Sequence, residues 1–260
     1  MAKIRNLYPG GNTCYGFYSF YDYLVSPEVE RKIILKGGPG VGKSSFMKKT
    51  AEEFFSRGYD IEYHWCSSDN ESLDGIVIGK QQVCILDGTA PHVVEPHYPG
   101  AVDEIINLGN YWQQNSLRQN RPAIIELTAK ISRCFERAYM RLRESRIAFT
   151  EWESYYQEAR DDKAVNRNIV ALAGDFLSGL AGGRQKSRHM FPGAITPGGL
   201  VSKIDSLIEV NYSLFAVQGS PGSEVKKLFS YVEQTLKLTE VEAEIYHNPF
   251  DPDYIDIIIL

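Results

Sequence analysis

The 260-residue chain has few cysteines, no long hydrophobic run and no excess of positive charge. Its four cysteines are scattered, without a CxxC pair or a Cys/His cluster at metal-ligand spacing, which argues against a zinc site and favours reduced thiols. No apolar run approaches the roughly 18 residues of a membrane span, and the first residues hold no apolar core of signal-peptide length. We therefore expect a cytoplasmic protein without a membrane partner.

The charge balance also limits the class of partner. The formal net charge is -5 and the pI is near 5.6, so the chain as a whole offers little attraction for DNA or RNA. A hydrophobic share of 43% is ample for a buried core. The composition predicts a globular protein of one large or two small domains and disfavours a nucleic-acid partner, while the oligomeric state stays open.

The first part of the chain has the pattern of a strand, a glycine-rich turn and a helix. Residues 32–36 are predicted to form a short buried strand, and the segment after the turn has a helical apolar face that ends at Gly58. Further strands are predicted at 60–66, 75–79 and 83–86. Strands separated by helix and loop indicate an α/β fold with a parallel sheet.

A helical insertion is predicted from about 101 to 180, where apolar residues recur on spacings of three and four. Between Arg118 and Arg146 eight Lys/Arg face three acids, and Arg133, Arg137 and Arg141 form a stripe. Two interpretations stand side by side. The stripe is either a solvated helix face laced with pairs such as Glu126 and Lys130, or a lid that faces a phosphate.

An internal repeat follows the insertion. Phe191 stands 183 residues after Tyr8, and the same offset relates seven identical pairs. The second members of these pairs are Pro192, Gly193, Thr196, Gly199, Ser202, Asp205 and Leu207. Further on, Tyr246 and His247 match Tyr63 and His64.

At an offset of 182 a second glycine loop matches the first, but it is degenerate, because Glu224, Val225 and Lys226 replace Gly42, Lys43 and Ser44. The predicted organisation is thus a P-loop unit over 1–183 and a partial second repeat over 184–260. A second unit as long as the first would need roughly another hundred residues, so we expect a truncated version of a longer two-unit protein, with its last residues in a strand.

The first glycine loop carries the chemistry. The Walker A pattern GxxxxGK[ST] is complete between a predicted strand and a predicted helix. Backbone N–H groups of such a loop surround the β-phosphate, Lys43 reaches the β- and γ-phosphates, and Ser44 binds magnesium. The predicted nucleotide-binding residues are Gly37, Gly38, Pro39, Gly40, Val41, Gly42, Lys43, Ser44 and Ser45.

A second magnesium partner is predicted at Asp87, the acid that ends an apolar strand, so that Lys43 and Asp87 are the predicted catalytic pair and Ser44 and Asp87 the predicted metal ligands. Asp69 and Asp74 are interpreted as turn residues, with a water-orienting base as the alternative. No glutamate directly follows Asp87, so the usual position of a hydrolytic base is empty. The nearest candidate bases are His92 and Glu95, and turnover is expected to be slow.

Other charged side chains are interpreted mainly as structural or solvated groups. His64 and His92 are interpreted as structural, hydrogen-bonded groups. Arg184 and Arg188 are interpreted as solvated linker charges, with arginine fingers as the alternative.

Three segments resemble one family. These are LKGGPGVGKSSFMKK, DGTAPHVVEPHYPGAVDEIINLG, and FPGAITPGGLVSKID with its QGSPGS loop. They are similar to poorly characterised bacterial proteins, described as ATPases or nucleotide kinases, that carry two P-loop units in tandem. The resemblance covers nearly the whole chain and implies ATP binding at residues 37–45 and a site role for residues 87–92.

The pattern predicts a slow magnesium-dependent ATPase. A nucleotide or small-molecule kinase and a non-hydrolysing module that docks on a protein partner remain alternatives. ATP is preferred over GTP because no NKxD-like string is present.

Overall fold

The computed structural model describes residues 2–25, 28–80, 82–90, 93–180, 187–209 and 212–260. Within these ranges the chain is an α/β structure with a six-stranded mixed sheet, a three-stranded sheet and two β-hairpins. The strands are β1 Ile4–Leu7, β2 Gly10–Thr13, β3 Gly16–Ser19, β4 Arg31–Lys36, β5 Ile61–Trp65, β6 Leu73–Ile78, β7 Val83–Asp87, β8 Asp103–Asn107, β9 Arg188–Met190, β10 Gly193–Thr196, β11 Gly199–Ser202, β12 Glu244–His247 and β13 Ile255–Ile259. The α-helices are α1 Lys43–Ser56, α2 Gln114–Gln119, α3 Arg121–Gln157, α4 Asp162–Leu177 and α5 Val225–Leu238.

The six-stranded sheet has the order β1-β5-β6-β7-β4-β8. Five strands run in the same direction, but β6 is antiparallel to both of its neighbours, β5 and β7. The parallel sheet predicted from the sequence is therefore confirmed in part, because the sheet is mostly parallel but mixed. The cause is the length of the connections, because residues 66–72 and 79–82 are too few for the crossover of about a dozen residues that parallel strands require.

The predicted helical insertion begins later than expected. Residues 103–107, inside the range predicted to be helical, form the edge strand β8, which pairs in parallel with β4 from Lys32 opposite Asp103 onwards. The Asp103 carboxylate lies 2.8 Å from Lys32 Nζ and accepts the backbone N–H groups of His97 and Tyr98. These tertiary contacts hold the segment extended, whereas its apolar spacing is compatible with either structure.

The large sheet is buried on both faces. Met47 and Ala51 of α1 pack on one face against Leu35 of β4. The neighbouring residue Ile34 points to the opposite face, where it belongs to one apolar cluster with Phe191. The chain after residue 187 thus covers the face that α1 leaves open, as a largely parallel sheet requires.

The three-stranded sheet repeats part of the large one. Its order is β13-β12-β9, with β12 parallel to β9 and antiparallel to β13, which is the pairing of β5 with β1 and β6. The bounds of β10 and β11 follow those of β2 and β3 by 183 residues, and those of α5 follow α1 by 182. The segments that match in sequence therefore also match in secondary structure and in strand pairing.

Strand register corrects one of the sequence matches. Arg5 pairs with Glu62, and Arg188 pairs in the same way with Glu244, so the offset between β5 and β12 is 182. Tyr246 consequently occupies the position of His64, and the match of Tyr246–His247 with residues 63–64 is one residue out of register.

The two repeated segments meet through equivalent residues. The N–H groups of Tyr8 and Phe191 each donate to the other residue's carbonyl oxygen, at 3.1 and 3.0 Å. Beside them, four equivalent charges form one network. Arg5 contacts Glu62 at 3.1 Å and also pairs with Glu244, while Arg188 contacts Glu62 at 2.7 Å and lies 3.7 Å from Glu244.

Helix α3 is an arm with no buried residue along its length. Glu126 and Lys130 lie 2.6 Å apart and Arg141 pairs with Glu144 at 2.7 Å, as expected for a solvated helix face. Among the described residues, no helix is long and apolar enough to cross a membrane.

We predict that Arg188→Ala lowers the free energy of unfolding by about 3–5 kcal/mol, because it leaves the carboxylate of Glu62 buried without its closest partner. Urea unfolding measures the change. The control is Arg57→Ala, which removes an exposed pair with Glu53 and is expected to cost about 0.5 kcal/mol or less. Equal losses in the two variants would contradict the prediction.

The ion pair of Arg188 and Glu62 also predicts that stability depends on pH. Burial alone would raise the pKa of Glu62, but the charge of Arg188 and hydrogen bonds from His64 and Arg188 hold it well below its ordinary value of 4.5. A lowered acid pKa contributes stability that is present above the unfolded value and is lost as the pH falls. Unfolding followed below pH 4.5 should therefore show a steeper loss in the wild type than in Arg188→Ala.

Candidate functional site

The predicted phosphate loop joins β4 to α1. The strand ends at Lys36 and the helix begins at Lys43. Gly40 and Gly42 have φ values of 76° and 93°, a region that residues with a Cβ rarely occupy. Apart from the chain neighbours, no heavy atom lies within 4 Å of a Cβ built on either glycine. This side of the loop is open.

The side chain of Lys43, the first residue of α1, reaches back to the loop. It is buried, and Nζ donates to the carbonyl oxygens of Gly37 at 2.6 Å and Gly38 at 2.9 Å. Nζ is also 3.4 Å from Oδ2 of Asp87. The structure therefore brings the two predicted catalytic residues together, although they are 44 positions apart in the sequence.

Asp87 reaches the loop because β7 pairs with β4. Leu35 stands opposite Asp87 at the carboxyl ends of these parallel strands. The Asp87 carboxylate accepts the backbone N–H of Thr89 at 2.9 Å and the Thr89 hydroxyl. One of its oxygens is thus held by Thr89, and the other faces Lys43.

The remaining loop residues lie around this pair. The hydroxyl oxygen of Ser44 accepts the backbone N–H of Leu73 at 3.0 Å. Pro39 and Ser45 are exposed, and Val41 packs towards Gly37. The first N–H groups of a helix have no intrahelical partner, so the start of α1 with Lys43 is a position that can bind an anion.

Asp74 is predicted to be a turn residue, but the structure places it in a strand. It lies in β6 and not in a turn, one residue beyond the last paired position of β6 and β7, where Gly75 stands opposite Leu86. This register brings Asp74 towards Asp87. Asp69 does form a turn, in which its carboxylate accepts the hydroxyl of Ser72 and the backbone N–H of Glu71.

The environment of Asp74 disfavours its charged form. Burial raises the pKa of Asp74 to about 7, while hydrogen bonds from the Tyr21 hydroxyl and the Cys66 thiol act in the opposite direction. The charges of Asp87 and Asp69 add to the rise. Sequence reasoning missed this environment because the preceding Ser, Asp and Asn residues are typical of a turn.

The other predicted charges lie elsewhere. His64 is fully buried 3.5 Å from Glu62, on the strand pair that holds the ion network. Arg188 belongs to that network and is neither a solvated linker charge nor an arginine finger. Glu95 pairs with Lys36 at 2.7 Å. His92 and Arg184 lie outside the described residues.

Trp112 is a neighbour of the loop that the sequence did not indicate. A Cβ built on Gly38 would lie 3.2 Å from Trp112 Cζ2, so the indole ring covers this end of the loop. Trp112 is 41% exposed. A signal was available, since two aromatic residues, Tyr111 and Trp112, follow closely after the carboxyl end of β8.

The second glycine loop has a different neighbourhood. Glu224 adopts a φ of 69° where Gly42 stands in the first loop, and α5 begins at Val225 in place of Lys43. Arg160, between α3 and α4, donates to the carbonyl oxygen of Gly222 at 2.9 Å and pairs with Glu224. The degenerate loop thus contacts the end of the helical arm and has Val225 where the first loop has Lys43.

No three His, Cys, Asp or Glu side chains within the described ranges are placed to hold a metal ion by themselves. Comparisons with known protein families, with curated proteins and with solved structures give no match for this chain. The resemblance to the tandem P-loop family therefore stays a prediction.

We predict that Asp74→Asn changes the pH dependence of stability. A raised acid pKa contributes stability below the unfolded value of 3.8 that is lost as the pH rises to about 7. The contribution of Asp74 to wild-type stability should fall by at most about 4 kcal/mol over this range, and this part of the pH dependence should be absent from the variant.

Urea unfolding at a series of pH values measures this difference. Asp69→Asn is the control, since hydrogen bonds from Ser72 and Glu71 lower the pKa of Asp69. Its substitution should therefore change the pH dependence of stability below the ordinary value of 3.8 and not above it. A profile for Asp74→Asn that is parallel to that of the wild type would show that Asp74 is charged in the folded protein.

Proposed function

We propose that this chain is a P-loop nucleotide-binding protein that binds Mg-ATP at residues 37–45 and hydrolyses it slowly. The observation that carries the proposal is the placement of Lys43. It begins α1 directly after the glycine loop, and its Nζ lies 3.4 Å from Asp87 at the end of the adjacent parallel strand. A lysine at the start of the helix that follows one strand, beside an acid that ends the neighbouring parallel strand, suits a magnesium-bound triphosphate.

The residues at the loop fit the chemical groups of this ligand. The open side of Gly40 and Gly42 lets phosphate oxygens approach the backbone. Ser44 and Asp87 supply two oxygen ligands, and magnesium usually completes its coordination with waters and phosphate oxygens, so a preformed cluster of three acids is not needed. Bound magnesium would supply neutralisation of phosphate charge.

The chain's own residues then have distinct tasks. Lys43 exchanges the carbonyl oxygens of Gly37 and Gly38 for phosphate oxygens, which are stronger acceptors for an ammonium group. Asp87 stays oriented by Thr89. Gly88 follows Asp87 and Glu95 is paired with Lys36, so neither position offers a free carboxylate to orient water. Slow hydrolysis follows from this arrangement.

We also propose that β9–β13 and α5 are a second copy of the corresponding elements of the first P-loop unit. Matching strand pairings and element bounds support this relation. The second loop has Val225 at the position of the lysine, and Arg160 donates to its Gly222 carbonyl oxygen. Both features favour a single nucleotide site in this chain.

A nucleotide-controlled binding module is the second candidate. It is favoured by the lack of an acid after Asp87 and by the engagement of the helical arm with the second loop. In this case ATP binds tightly and changes the contacts of the arm without turnover. Transfer of the phosphoryl group to an acceptor other than water is distinguished by measuring both ADP formation and phosphate release, with and without added nucleotides.

We predict that Lys43→Ala weakens Mg-ATP binding roughly 10- to 100-fold, because a hydrogen bond to a charged group contributes about 1.5–3 kcal/mol. Calorimetric titration measures affinity and a phosphate assay measures turnover. Asp87→Asn should still bind ATP, but its affinity for ATP should no longer depend on magnesium. The control is Lys49→Ala, an exposed lysine on the same helix, which should bind like the wild type.

Binding that is unchanged in Lys43→Ala would contradict the proposal. Tight binding without ADP formation in the wild type would favour the binding module. ADP formation that requires an added acceptor and proceeds without phosphate release would identify a kinase.

A further inference from the structure

A buried asparagine connects three parts of the chain. Asn12 in β2 is 8% exposed. Its Nδ2 donates to the carbonyl oxygens of Ser67 at 3.1 Å and Ile195 at 2.9 Å, and its Oδ1 accepts the hydroxyl of Tyr139 at 2.9 Å. One side chain therefore joins the segment between β5 and β6, the hairpin of β10 and β11, and the helical arm α3.

The segment that contains Ser67 leads directly to the phosphate loop. It is a compact turn, closed by the bond from Cys66 N–H to the carbonyl oxygen of Ser72 at 3.0 Å. The next residue, Leu73, donates its N–H to the hydroxyl oxygen of Ser44. A displacement of Leu73 is thus passed to Ser67 through a turn with its own hydrogen bond.

Ser44 has two uses that compete. Its hydroxyl oxygen accepts the Leu73 N–H, and under the proposed function the same oxygen is a magnesium ligand. A positive ion repels the positive end of the N–H dipole, because like charges at short distance disfavour each other. The bond between Ser44 and Leu73 is therefore weaker in the metal-bound state.

We propose that Asn12 couples magnesium-nucleotide binding at Ser44 to the helical arm, so that α3 reports whether the loop is loaded. This inference rests on the proposed function and names the regulation of the same site. The contacts from Ser44 through Ser67 and Asn12 to Tyr139 belong to the nucleotide-free state. Binding weakens them together, and the arm loses one of its attachments to the sheet.

Thermodynamic linkage makes the coupling reciprocal. Removal of the Tyr139 hydroxyl destabilises only the state in which Asn12 accepts it. The nucleotide-bound state is then favoured, so Tyr139→Phe should bind Mg-ATP roughly fivefold more tightly, at the lower end of ordinary coupling energies.

The chain carries its own reporter position. Cys134 on α3 is exposed, whereas the other three cysteines are buried. An environment-sensitive fluorophore attached to Cys134 of the full chain should change its emission when Mg-ATP is added. In Tyr139→Phe the change should be smaller and the affinity higher. The control is Tyr155→Phe, which removes a hydroxyl bonded to Glu151 on the same helix and should behave as the wild type.

The outcomes separate the inference from the function on which it rests. Mg-ATP binding without any emission change, or equal behaviour of the two tyrosine variants, overturns the inference and leaves the proposed function standing. Failure of the wild type to bind Mg-ATP overturns both. An emission change that requires a higher Mg-ATP concentration in Lys43→Ala and is reduced in Tyr139→Phe supports the coupling.

Discussion

Four charged side chains at the junction of the two sheets set the arrangement on which the rest of the structure depends. Arg5, Arg188, Glu62 and Glu244 each contact both residues of opposite charge. Buried charges are costly unless every one is paired, so β1, β5, β9 and β12 must meet in a single register. The two hydrogen bonds between Tyr8 and Phe191 continue this register along the chain.

This junction also leaves the candidate site at an edge of the large sheet and not on one of its faces. Residues from 187 onwards cover one face, and α1 covers the other. The glycine loop then lies at the carboxyl edge of the sheet, where β4 and β7 end side by side. The antiparallel strand β6 also borders the site. Its Leu73 donates a hydrogen bond to Ser44, and its register with β7 brings Asp74 towards Asp87.

The differences between the repeated segments are as informative as their likeness. The first loop keeps Gly42 and Lys43 and leaves an open side, whereas the second has Glu224 and Val225 and is engaged by Arg160 from the helical arm. The second loop is thus occupied by another part of the chain, whereas the first loop is open beside Gly40 and Gly42.

The sequence alone determined the features that depend on local patterns: the strand, loop and helix around Lys43, the strand that ends at Asp87, and the repeat that starts at Tyr8. These follow from residue spacing and from the glycines that a tight turn needs. Only the tertiary structure decided the direction of β6, the strand character of residues 103–107, the raised pKa of Asp74 and the placement of Asn12. Each of these depends on partners far away in the chain, whose position and low-dielectric surroundings no local pattern records.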